Sequence, residues 1–215
     1  MVQGFFISNF RSALAGVVLA ACLAGIVSGC ASGSQASKGA AEGAGSGALA
    51  GAVSGMVGAL VFGGDVVDAG ARGAVYGGTA GAVAGGISGS KRDKAVAQQQ
   101  AVQNEQELQK LRNEIGDDAY NGIVALADCK YEVAAANAKV ARQSKNRDYA
   151  LAGLWVEVLI DADQRRESAA RERFPELIKQ DRKLKTEADA EAAMRDGIQS
   201  LGDSREKYGL SRVCT

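Results

Sequence analysis

The chain has 215 residues, of which 28 are glycine, one is proline and none is histidine, and its 25 basic side chains balance 25 acidic ones. Zero net charge offers nucleic acid no electrostatic footprint. The lack of histidine removes the commonest general base and the commonest transition-metal ligand, so histidine-dependent catalysis is excluded.

Arg11 is followed by an uncharged run, Ser12 to Gly29, that stops at Cys30. This is the pattern of an export signal, not of a domain. Its last four residues, Val27, Ser28, Gly29 and Cys30, resemble the lipobox of bacterial lipoproteins. The resemblance implies cleavage before Cys30 and a diacylglycerol on its thiol, a covalent lipid and no other cofactor. An ordinary secretory or transmembrane segment with an incidental cysteine is the alternative. Removing residues 1–29 takes away Arg11 alone among the charges, leaving 24 basic and 25 acidic residues and a net charge of −1. Cys22 leaves with the signal, and the two remaining thiols of an exported chain, Cys129 and Cys214, point to one disulfide. Residues 30–38 read as a lipidated tether. By resemblance to enterobacterial lipoproteins, Ala31 and Ser32 after the acylated cysteine imply the outer membrane, with the soluble part facing the periplasm.

Residues 39–90 carry two ladders of glycine at every fourth position: Gly39, Gly43, Gly47, Gly51, Gly55, and Gly73, Gly77, Gly81, Gly85, Gly89. Four residues is just over one helical turn, so each ladder gives a helix a groove nearly free of side chains. Between Glu42 and Asp65 lie 22 uncharged residues, and between Arg72 and Lys91 lie 18. Either stretch is long enough to cross a hydrocarbon layer of roughly 30 Å. The connection Gly63 to Arg72 mixes glycines with charges, and together these features predict a helical hairpin in the membrane. Each ladder glycine costs about 1 kcal/mol against alanine in a water-exposed helix, so close packing must compensate. A disordered linker is the alternative, opposed by the strict spacing and by the interleaved Leu49, Val53, Met56, Val57 and Leu60. Insertion into the bilayer competes with an interfacial position or burial within a protein ring.

Residues 91–215 change character, with 22 basic and 22 acidic side chains and little glycine, and read as a soluble helical domain. Ala97, Ala101, Asn104, Leu108, Leu111 and Ile115 follow a heptad seam, predicting a coiled-coil helix. Gly116-Asp117-Asp118 marks a stop. A second helix is expected from about Asp118 to Gln143, with Val133 and Val140 on one apolar face, and a third around Trp155, the expected centre of the core. A fourth begins at Pro175, buries Leu177, Leu184, Ala188, Ile198 and Leu201, and ends at Gly202. The expected fold is all-α: a glycine-zipper hairpin in the membrane followed by a periplasmic helical bundle or coiled coil.

Catalytic motifs are weak. Ser88 and Lys91 have Ser-x-x-Lys spacing without the partner motifs, and the ladders lack the Gly-Lys-Ser/Thr ending of a phosphate loop. Asp161, Asp163 and Glu167 sit among Arg165 and Arg166 and read as solvated ion pairs. Asp65 and Asp68 read as a polar layer at the hairpin turn rather than a cation site. No catalytic residue, metal ligand or small-molecule substrate is expected.

A lipobox followed by a doubled Gly-x-x-x-Gly hairpin resembles the glycine-zipper outer-membrane lipoproteins, including the SlyB-type group, over residues 27–90. The resemblance implies acylation of Cys30, packing through the ten ladder glycines, homo-oligomers in the membrane and a part in envelope integrity. The expected function is therefore that of a non-enzymatic envelope lipoprotein assembling through its zipper. The alternatives are a lipid-anchored adaptor that grips an envelope protein of a secretion or efflux assembly, and a membrane-permeabilising protein.

Overall fold

The computed structural model describes residues 35–84 and 91–214. Cys30, Gly85, Gly89 and Ser88 lie outside them. The described residues form nine helices and no strand: α1 Gln35–Phe62, α2 Val66–Ala84, α3 Lys91–Ile115, α4 Asp117–Ala127, α5 Tyr131–Arg142, α6 Arg147–Asp163, α7 Glu167–Glu172, α8 Phe174–Gln180 and α9 Glu187–Lys207. Among the described residues, no helix is long and apolar enough to cross a membrane.

The uncharged run of α1 has a protein surrounding. Residues 51–61 are buried on every side of the helix, as a helix apolar all round must be in a core or a bilayer. One side lies on α2. The others face α4, α6 and α9, so Val53, Met56, Val57 and Leu60 join one core with Ile115, Ile123, Leu126, Trp155, Leu159 and Leu201. Each such burial stabilises the fold by about 1.5–3 kcal/mol. Gly63 and Gly64, at φ 93° and 130°, end the helix in backbone conformations that other residues rarely adopt. Asp65 then accepts the Asp68 amide at 2.9 Å and starts α2.

α3 lies beside the hairpin. Leu111 lies 3.4 Å from where a Cβ on Gly58 would stand, and Ile115 is fully buried in the core. The single helix expected from Asp118 to Gln143 is in fact two, α4 and α5, because the chain turns at Asp128–Lys130. The Lys130 amide reaches the Ala125 carbonyl at 2.8 Å and the Cys129 amide reaches Leu126 at 3.0 Å, the paired bonds of a Schellman stop. Cys129 occupies the left-handed position at φ 61°. The turn redirects the axis, so Ala134, Ala138 and Ala141 face inward while Val133 and Val140 are left exposed.

Trp155 is completely buried and its indole N–H donates to Asp181 at 3.4 Å. The single helix expected after Pro175 is also divided. Buried Asp181 accepts the Lys183 amide at 2.9 Å in an intervening turn, and α9 opens on a capping box between Thr186 and Asp189. The inner face of α9 is Ala190, Met194, Gly197 and Leu201, whereas Ala188 is exposed. Gly202 does not end this helix. It is buried because a Cβ there would stand 3.0 Å from the Arg212 Cγ, and the helix continues to Lys207. Gly209 is the terminator, at φ 79°, with the Leu210 amide bonded to the Arg205 carbonyl at 2.9 Å. A third stop of this kind follows α6, where Arg165 at φ 59° takes the left-handed position and the Arg166 amide reaches Asp161 at 2.8 Å. An L-residue there costs on the order of 1 kcal/mol that glycine does not.

Candidate functional site: the glycine seam and the buried guanidinium

α1 and α2 meet backbone to backbone. A Cβ on Gly51 would stand 2.9 Å from the Gly73 carbonyl carbon, one on Gly55 2.9 Å from that of Ala69, and one on Gly77 2.7 Å from that of Gly47. Each step of four forward along α1 is matched by a step of four back along α2, so the two ladders mesh as an antiparallel pair within one chain. Gly39 and Gly43 belong to α1 and Gly81 to α2. Contact this close gains dispersion and weak Cα–H···O bonding, which offset the helix propensity glycine forfeits.

The ladders are not the only close approaches. A Cβ on Gly153 would stand 2.7 Å from the Ala138 carbonyl oxygen, and one on Gly197 2.9 Å from a Leu159 methyl and 3.5 Å from Leu60. Gly197 thus lets α9 close over both α6 and α1. These glycines stand alone in sequence, and only the apolar register around Gly197 could have marked one of them.

That same register ends on a cation. Counting four from Leu201 gives Arg205, whose side chain is completely buried against Asp163, itself 6% exposed. Its Nη1 and Nη2 donate to the two Asp163 carboxylate oxygens at 2.9 and 2.8 Å, and its Nε donates to the Ala127 carbonyl at 3.1 Å. A further bond from Nη2 to Leu126 at 2.5 Å completes the C-terminal cap of α4, a favourable place for a cation. The Tyr131 hydroxyl donates to Asp163 at 2.7 Å. Burial, that hydrogen bond and the adjacent negative charge push the Tyr131 hydroxyl up to about 12. A charged residue continuing an apolar register was the available signal for a buried partner.

Asp161 and Asp163 are therefore not solvated, as their sequence neighbours suggested. Asp161 is also 6% exposed, held by Arg166 at 2.6 Å and Arg173 at 3.0 Å. Glu157 joins Arg142 at 2.7 Å and Arg173 at 3.3 Å. Glu167 alone matches the solvated reading, 3.8 Å from Arg171 at the surface. Beside Arg205, Cys129 and Cys214 form a disulfide with 5.7 Å between their α-carbons. Among the described residues no group of three or more Asp, Glu or Cys side chains is placed to hold a metal ion.

Among the described residues the structure is helical, and its two glycine ladders mesh as a glycine-zipper hairpin. Residues 11–93 are similar to the YMGG-like Gly-zipper family, whose model matches over that stretch. No curated protein and no solved structure matches the chain.

Proposed function

We propose that this is a non-enzymatic lipoprotein of the bacterial cell envelope, tethered to the outer membrane by an acyl group on Cys30, whose zipper seats a periplasmic helical domain close to that membrane. The observation that supports this reading is the double use of α1. Its glycine face is filled by α2, and its aliphatic residues share a core with Trp155. The zipper then acts as a clamp within each copy, and the helical domain supports envelope structure or holds an envelope protein.

A second reading, lateral homo-oligomers of the hairpin, is favoured by Val67 and Val75, which are 65% and 58% exposed on the outer face of α2. Radioactive palmitate labelling of the wild type and of Cys30→Ser tests the anchor, and an equal label on both would end the lipoprotein reading. Two variants separate the modes of packing. The clamp reading expects Gly73→Leu to reach the membrane but to become protease-sensitive throughout residues 91–214, with Val67→Asp unchanged. The lateral reading expects Val67→Asp to give folded, protease-resistant monomers.

A further inference from the structure

Among the described residues, two that are not glycine hold the left-handed position after a helix, Cys129 and Arg165. For Cys129 the disulfide supplies the reason. At Arg165 the backbone makes the stop of α6, which glycine would make without strain, and the side chain gives nothing back within the fold: it is exposed and makes no hydrogen bond or ion pair among the described residues. Strained backbone retained without a structural return points toward function.

We propose that Arg165 is the anion-binding residue of a cleft that takes a single-chain carboxylate amphiphile. Arg165 lines two adjoining open surface clefts of about 430 and 480 Å³, which share Asp163, Arg165 and Val213. These sizes are ordinary for small-ligand pockets, roughly 300–1,000 Å³. The first has an apolar wall of Ile198 and Val213, the latter 40% exposed, backed by buried Met194.

The charges around the cleft select the head group. Arg195 is paired with Glu191, and Arg212 with Asp203 and Glu206. Asp163 is neutralised by Arg205, and Glu167 faces Arg171. Among the described residues lining the cleft, Arg165 is the guanidinium without an ion pair, which suits a monoanion better than a phosphate dianion. Its planar fork matches a carboxylate in two parallel hydrogen bonds. The aliphatic chain of the ligand then covers Ile198 and Val213, close to the buried Met194. The tail residues Arg212 and Val213 close one side, and Cys214 fixes them in place through its bond to Cys129.

The test uses the full chain in phosphatidylcholine nanodiscs, with its methionine methyls labelled with carbon-13 and octanoate as the probe. The Met194 resonance shifts saturably, while Met56, buried in the core on α1, stays in place as the internal reference. Arg165→Gly weakens octanoate by roughly tenfold, the loss of one charge-assisted pair, yet melts no lower than the wild type because its backbone strain is gone. Arg165→Lys keeps part of the affinity. Octanol, which lacks the charge, leaves Met194 unmoved. An unsaturable Met194 shift, an equal shift with octanol, or unchanged affinity in Arg165→Gly would each overturn the proposal.

Discussion

Gly51 and Gly73 lie carbonyl against α-carbon across the hairpin: a Cβ on Gly73 would stand 2.8 Å from the Gly51 carbonyl carbon, and one on Gly51 2.9 Å from that of Gly73. Neither neighbour is a flexible side-chain tip, so an added methyl forces the helices apart. Gly73→Ala is expected to cost about 1–3 kcal/mol, the usual range for overpacking. Gly45 lies on the same α1 helix with nothing within 4 Å of the added atom. Gly45→Ala should therefore stabilise by about 0.5–1 kcal/mol through helix propensity alone. Chemical denaturation of the two variants checks the opposite signs. Equal effects would mean that the seam is not the tight contact described.

The disulfide joins residues 85 apart in sequence, which corresponds to roughly 4–5 kcal/mol in the chain-entropy account. Replacing both cysteines with alanine should lower the melting temperature accordingly. Cys129→Gly combined with Cys214→Ala should recover about 1 kcal/mol of that loss, because glycine accepts φ 61° without strain. Differential scanning calorimetry of the two double variants measures the difference.

Arg205 answers three acceptors on two helices and the Asp163 carboxylate is closed off with it. Arg205→Met leaves a buried carboxylate and the last carbonyls of α4 without their donor. The expected cost is about 3–5 kcal/mol. A loss below 1 kcal/mol in urea denaturation would show that the pair is not shut away from water.

Tyr131 gives a pH signature. Its folded value of about 12 lies above the ordinary 10.0, so the folded state holds the phenolic proton more tightly than the unfolded chain does. The associated stability is fully present below pH 10 and is lost as pH rises through 12. Tyr131→Phe should remove this part of the alkaline decline. Unfolding measured from pH 9 to 12 would count against the hydroxyl–Asp163 bond if wild type and variant fell in parallel.

Helix content was legible where periodicity ran long. The Gly-x-x-x-Gly spacing marks the contact faces of α1 and α2, and the aliphatic run around Trp155 marks the centre of the core. What covers α1 was not legible, because an uncharged helix reads the same whether lipid or protein surrounds it. Helix stops were missed where the left-handed residue is not glycine, as at Cys129 and Arg165. Gly202 misled in the opposite sense. It is small to admit Arg212, while Gly209 supplies the turn. Arg205 went unnoticed because a lone arginine late in a polar helix looks solvated until its register is counted from Ala190 through Leu201.

Gly197 brings α9 over Leu60 of α1, so one of the earliest helices to be synthesised waits for one of the last. Until α9 emerges, the aliphatic flank of α1 stays uncovered and is available to chaperones or to neighbouring nascent chains. Such long-range closure slows folding relative to a bundle built from sequential hairpins. A truncated product ending before Glu187 would therefore be a sticky, degradation-prone species rather than a shorter working protein.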